Sequence, residues 1–165
     1  MNQALAISAD GELVAGGHLR GRIKVWGIDD GGLIFTLDGH ADRVASVVFG
    51  EDATLAISGG YDKKVNVWSL KKESVWDLSE NTLTHSMHGH GRDVLSVALS
   101  QDQRVAVSGS RGRTLAIWNL EEGVLTHACQ AHKRDVSAVA VNADGHHGVW
   151  ELRRHDPRVE DRHRA

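Results

Sequence analysis

At 165 residues, 41% apolar and 25% charged, the chain has the length of one domain and the composition of a folded protein rather than a disordered one. A net charge of −3 with His neutral gives no global field for DNA or an anionic membrane, and a single cysteine, Cys129, excludes an internal disulfide framework. Met1 to Gly17 carries Asp10 and Glu12 where a secretory leader needs an apolar run, and no apolar stretch is long enough for a membrane helix, so a cytoplasmic location is expected.

In chain order the predicted elements are short and β-favouring. The chain opens within a first strand, turns at Ala9-Asp10-Gly11, and passes Trp26 before an outer run at Leu33 to Leu37. Strands follow at Val44 to Phe49, Leu55 to Ser58 and Lys64 to Trp68, the first two joined through Gly50-Glu51-Asp52. An outer run at Leu83 to Met87 leads to strands at Val94 to Leu99, Arg104 to Ser108 and Thr114 to Trp118, and then to an outer run at Leu125 to Cys129. A further strand is expected at Val136 to Val141, and the pattern fails after Gly145. No segment holds a 3.6-residue apolar period over about ten residues, so helices are not expected.

The anchors of these units keep a fixed spacing. Trp26 to Trp68, Gly16 to Ser58 and His90 to His132 are each 42 residues, whereas His40 to His90, Ser58 to Ser108 and Trp68 to Trp118 are each 50. One insertion of 8 residues within Ser69 to Glu80 explains the difference and brings an extra tryptophan, Trp76. A period of this size marks a propeller, solenoid or array, and four antiparallel strands per unit favour blades set around an axis. The expected fold is all-β: a partial β-propeller of three four-stranded blades plus the start of a fourth, forming an open arc. Units are expected near 4–38, 39–88, 89–130 and 131–152, together a propeller segment over 1–152, with a charged, disordered tail over 153–165. The missing start and the broken fourth unit are read as cuts through a longer array. The arc is then a fragment of a larger propeller, or is closed by a second copy as a homodimer.

Gly39-His40 precedes Trp68-Ser69, and Gly89-His90 precedes Trp118-Asn119, each with 28 residues from His to Trp. In this the chain resembles the WD-repeat (β-transducin type) propellers, over roughly residues 4–145. The resemblance implies a buried hydrogen-bond network of a loop His, a second-strand Ser or Thr, an Asp in the next turn and the Trp. By position, the second unit holds the full set: His40, Ser58, Asp62 and Trp68. The third has His90, Ser108 and Trp118 with Gly112 in the Asp position, the first has Trp26 with Gly16 and Arg20 in the Ser and Asp positions, and the fourth supplies His132. These gaps predict weaker first and third blades.

The same residues weigh against chemistry. Each Ser lies mid-strand facing an indole, with no nucleophile elbow or oxyanion loop, so a hydrolytic triad is not expected. The histidines at His85 to His90 and at His127-Ala128-Cys129 match no zinc signature. The glycines at Gly16-Gly17 and Gly59-Gly60 precede no helix and make no phosphate loop. No enzyme activity, cofactor, metal, specific nucleic acid or membrane partner is expected. The resemblance implies a non-catalytic scaffold for protein or peptide partners. The alternative is the regulatory or substrate-recruiting repeat end of a larger enzyme such as a kinase, protease or nucleotidase. The pairs Asp42-Arg43, Arg92-Asp93 and Arg134-Asp135 occupy equivalent places on one rim and, with Trp76, form the candidate partner surface.

Overall fold

A computed structural model describes residues 4–70, 82–130 and 132–141. Among these, twelve strands form three separate four-stranded antiparallel sheets and no helix is present. The first sheet contains β1 (Ala4–Ile7), β2 (Leu13–Gly17), β3 (Arg22–Gly27) and β4 (Leu33–Asp38). The second contains β5 (Val44–Phe49), β6 (Leu55–Gly60), β7 (Lys64–Ser69) and β8 (Thr82–His88). The third contains β9 (Val94–Leu99), β10 (Val105–Ser110), β11 (Thr114–Asn119) and β12 (Val124–Gln130). Each is a meander in sequence order, and the sheets meet along their first strands, with β5 lying against both β1 and β9. This is an open arc of three propeller blades.

The equivalence of the blades extends to backbone detail. The ladder between third and fourth strands slips one residue before each tryptophan, at Val25/Trp26, Val67/Trp68 and Ile117/Trp118. Turns between first and second strands place Gly11, Ala53 and Gln103 in the left-handed region, with φ of 72°, 56° and 58°. Turns between second and third strands do the same with Gly21, Lys63 and Arg113, at 77°, 69° and 66°. Four of these six positions thus hold a side chain where glycine would be less strained.

Two apolar layers hold the arc together, and both lie between blades. The first joins Ala15, Ile23, Val25 and Leu37 of one blade to Val47, Phe49, Trp68 and Leu70 of the next. The second joins Ile57, Val65, Val67 and Met87 to Val94, Val97, Trp118 and Leu120. The leading valine of each new blade sits where the previous blade has no side chain. A Cβ at Gly17, Gly59 or Gly109 would lie 2.8, 2.5 or 2.5 Å from the nearest methyl of Val44, Val94 or Val136.

Residues 132–141 repeat this docking without forming a strand. Val136 is buried, its N–H donates to the Ser110 carbonyl at 3.0 Å, and the Val139 N–H donates to Ser96 Oγ at 3.2 Å. The latter bond copies Val97 N–H to Ser46 Oγ between the second and third blades. The expected strand at Val136 to Val141 is therefore present as a docked segment with inter-blade contacts but no ladder of its own. Among the described residues nothing covers the leading face of the first blade. Leu5 and Ile7, equivalent to the buried Val47 and Phe49, are 69% and 66% exposed.

Candidate functional site

The side chains that invite a chemical reading converge inside the second blade. His40, on the loop before β5, reaches across to Ser58 in β6, Asp62 in the β6–β7 turn and Trp68 in β7. The Trp68 Nε1–H donates to Ser58 Oγ at 2.8 Å, and Ser58 Oγ lies 2.8 Å from His40 Nε2. His40 Nδ1 lies 2.8 and 2.9 Å from the two Asp62 carboxylate oxygens. A carboxylate only accepts, so Nδ1 carries the ring proton. Desolvation lowers the His40 pKa, opposed by Asp62, and the ring is neutral with Nε2 as an acceptor from the Ser58 hydroxyl. Every donor in the chain from indole to carboxylate is thus used in one direction.

Asp62 has a second task. Its Oδ2 accepts the Ala41 N–H at 3.0 Å and its Oδ1 the Lys64 N–H at 3.3 Å, which ties the loop before β5 to the turn after β6. The Gly of each Gly-His pair has a steric reason. A Cβ at Gly39 or Gly89 would lie 2.7 or 2.9 Å from the edge of Trp68 or Trp118.

The third blade reaches the same end with different residues. The Trp118 Nε1–H donates to Ser108 Oγ at 2.7 Å, and Ser108 Oγ lies 2.7 Å from His90 Nε2. With Gly112 in the Asp position, Thr114 Oγ1 faces His90 Nδ1 at 2.8 Å. Ser110 takes over the backbone task, donating to the Arg92 carbonyl at 3.2 Å and accepting the Gly112 N–H at 3.0 Å. The gap read into this unit from the sequence is therefore filled by two hydroxyls. Ser110 stands where the second blade has Gly60, and Thr114 stands where it has Lys64. A Cβ at Gly60 would lie 2.7 Å from both Asp62 Oδ1 and His40 Nδ1, so a side chain there excludes the Asp. The sequence signal was the joint change from Gly60 and Asp62 to Ser110 and Gly112. Without a carboxylate, burial lowers the His90 pKa to about 4.

The other candidates separate. Trp26 is only half-buried, and Gly16 leaves it without a hydroxyl like those of Ser58 and Ser108. His132 is half-buried and its N–H donates to the Arg113 carbonyl at 3.5 Å, while the positions that would complete its set lie outside the described residues. Trp76, residues 142–152 and the expected tail over 153–165 also lie outside them.

None of the buried networks offers a reacting atom to solvent. Ser58 and Ser108 are both 0% exposed, so neither hydroxyl can meet a substrate. Among the described residues no group of three His, Cys, Asp or Glu side chains is placed to hold a metal ion. An open hollow of about 290 Å³ lies at the ends of the first strands, lined by Ile7, Val48, Phe49, Leu99 and Gln101 among others.

The expected partner pairs all fall in loops leading into a first strand, hence on one rim. Asp42, Arg92, Arg134 and Asp135 are exposed, and Arg43 and Asp93 are half-buried. Between the second and third blades this rim carries a clasp around Tyr61. The guanidinium carbons of Arg43 and Arg111 lie 5.2 and 5.0 Å from the Tyr61 ring centre. Arg111 also donates to Asp93 at 2.6 Å and lies 4.0 Å from Asp135 of the docked segment.

Comparison with known proteins places these blades. The family model described as WD domain, G-beta repeat matches residues 31–69 and 81–119. Each match starts near the outer strand of one blade and ends with the third strand of the next, so the repeat in sequence is offset from the blade in space. Protein ROOT INITIATION DEFECTIVE 3 of Arabidopsis thaliana is 37% identical over 68 residues, which is 41% of this chain and 16% of that protein. A Periodic tryptophan protein 2 homolog of Neurospora crassa is 33% identical over 67 residues, 40% of this chain and 8% of that protein. WD repeat and SOCS box-containing protein 1 of Takifugu rubripes is 40% identical over 62 residues, 37% of this chain and 14% of that protein. The matched segment thus spans no more than 16% of the length of these relatives. With its three-bladed architecture, its Gly-His-to-Trp frame and these matches, the chain belongs to the WD-repeat family of β-propeller proteins.

Proposed function

We propose that this chain is a non-catalytic interaction scaffold that presents its rims to a protein or peptide partner in the cytoplasm. The observation that carries this is the division of labour among the polar residues. His40, Ser58, Asp62 and Trp68 of the second blade are spent on buried structural bonds, as are His90, Ser108 and Trp118 of the third, while the rim loops hold equivalent positions with differing charged side chains. A repeat platform with variable loops is suited to recognition. One of these relatives is named for its WD repeats and the names share no single process, so they support the scaffold role without indicating a pathway.

Cross-linking mass spectrometry on the native protein tests the role. A scaffold gives cross-links from partners to rim loops, and these disappear when rim residues are replaced while the melting temperature is kept. Catalytic turnover traced to this segment, with no partner cross-linked to it, would refute the reading in favour of a repeat end that works as part of an enzyme.

The bare face of Leu5 and Ile7 gives the scaffold a second contact. It is the counterpart of the face that the second blade buries against the first, so the occupant with matching shape is another blade, from a longer chain or a second copy. Light scattering after size exclusion distinguishes these. A dimer that Leu5→Asp dissociates supports the second copy, and a stable monomer of the isolated chain excludes it.

A further inference from the structure

A meander of four strands sends its connections alternately to opposite rims, and in this chain the two rims carry opposite charge. One rim holds the connections at 18–21, 39–43, 61–63, 89–93 and 111–113 and the start of the docked segment at 132–135. Among these residues stand eight Lys or Arg and four Asp. Among the described residues the other rim holds 8–12, 28–32, 50–54, 100–104 and 120–123, with one Arg and nine Asp or Glu. The net charge of −3 for the whole chain conceals this separation.

The carboxylates on the cationic rim are largely committed. Asp62 is held by His40, Asp93 is held by Arg111, and Asp42 accepts the Arg43 N–H at 2.6 Å. Six of the eight cations are not. Arg20, Lys63, Arg92, Arg113, Lys133 and Arg134 are exposed and make no ion pair with a described residue. Lys63 and Arg113 stand in left-handed turn positions where the first blade has Gly21. The acidic rim does not cancel this field. A six-residue strand is about 20 Å long, whereas charges in physiological salt are screened over about 8 Å.

We infer that the cationic rim is a docking surface for an extended Asp/Glu-rich peptide segment of a partner protein. This rests on the scaffold reading and specifies the chemistry of its partner. These cations come one each from the loops at 18–21, 61–63, 89–93 and 111–113 and two from the docked segment, a spread that suits a run of separate carboxylates better than one phosphate needing several cations at a point. An Asp/Glu-rich segment can pass Asp42, Asp93 and Asp135 with uncharged residues, whereas a phosphodiester backbone is charged at every unit. The Tyr61 ring, flanked by Arg43 and Arg111, adds an apolar contact for the peptide between blades two and three.

The test is fluorescence anisotropy with the full chain and a labelled twelve-residue Glu/Gly/Ser peptide. Expected is saturable binding that weakens at least tenfold between about 50 and 200 mM salt, as multiple ionic contacts require. It should weaken by a similar factor in R92Q/R113Q/R134Q, whose three positions are exposed. A control triple on the opposite rim, E51Q/D102N/E121Q, should leave it unchanged. The proposal is overturned by no binding at low salt, by equal loss in the control, by tighter binding of a neutral peptide bearing one phosphoserine, or by tighter binding of single-stranded DNA of equal charge. Salt-sensitive self-association abolished by either triple would assign the rim to a second copy and also overturn it. If partners cross-link elsewhere on the native protein, this inference falls and the scaffold reading stands. If none cross-link anywhere, both fall.

Discussion

Replacing Ser58 by Ala removes one oxygen and strands two buried groups. Ser58 is 0% exposed, and its Oγ accepts from Trp68 Nε1 and donates to His40 Nε2, both at 2.8 Å. Trp68 is 1% exposed and His40 7%, so water cannot replace either bond without opening the layer between the first and second blades. Each orphaned group costs about 1–3 kcal/mol, so Ser58→Ala should destabilise the fold by about 2–5 kcal/mol, a large part of the stability of a typical domain. The assay is urea unfolding followed by tryptophan emission, with the slope required to stay constant so that the midpoint shift reports stability. Trp68→Phe should cost less in the Ser58→Ala background than alone, since the indole N–H is already orphaned there. The coupling should be at least about 0.5 kcal/mol, as for residues sharing one network. A single-variant loss below about 0.5 kcal/mol, or strict additivity of the pair, would refute the account of Ser58 as the shared node.

Other expectations follow from the third blade and the turns. His90 is held neutral with its pKa near 4, so between that value and the unfolded 6.5 the unfolded chain binds the proton and the folded chain does not. Stability should therefore fall as pH drops from about 6.5 towards 4, by up to about 3 kcal/mol; urea midpoints from pH 7 to 4.5 should show this, and His90→Gln should flatten it. Gly60→Ser should destabilise by about 1–3 kcal/mol, because its Cβ would lie 2.7 Å from both Asp62 and His40. Adding Asp62→Gly and Lys64→Thr should restore part of that loss by recreating the third-blade arrangement, and equal melting temperatures for the single and triple variants would count against it. Lys63→Gly should raise stability by about 0.5–1 kcal/mol, the relief of a left-handed conformation less the entropy of a freer unfolded chain. A lower melting temperature would show that the Lys63 side chain makes a stabilising contact.

The repeat made the fold legible because it is set by steric features that recur: the turn residues, the tryptophans, and the glycines under Val44, Val94 and Val136. The full network of the second blade was legible for the same reason, since His40, Ser58, Asp62 and Trp68 each sit at a fixed offset. Thr114 and Ser110 were not, because they occupy positions that carry Lys64 and Gly60 in the complete copy and acquire a role only when Gly112 makes space. Positional matching finds a missing Asp, but hydroxyls that replace it from neighbouring positions appear only once the loop closes in space. The charge separation was hidden for a different reason. Asp and Arg alternate along the chain, and only the alternation of the strand connections sorts them onto opposite rims.

The two ways of closing a blade also bear on how such an array is inherited. Tandem copies within one gene tend to be homogenised when stretches of one copy overwrite another. Here a short overwrite that placed a serine at position 60 opposite Asp62 would bring its Cβ within 2.7 Å of both the carboxylate and the imidazole, and one that placed an aspartate at position 112 would set a carboxylate beside the Ser110 side chain in the third blade. Only a tract carrying both positions together avoids that cost. The local difference between the second and third blades thus acts as a barrier to exchange, allowing neighbouring units to keep separate rim sequences while sharing one architecture.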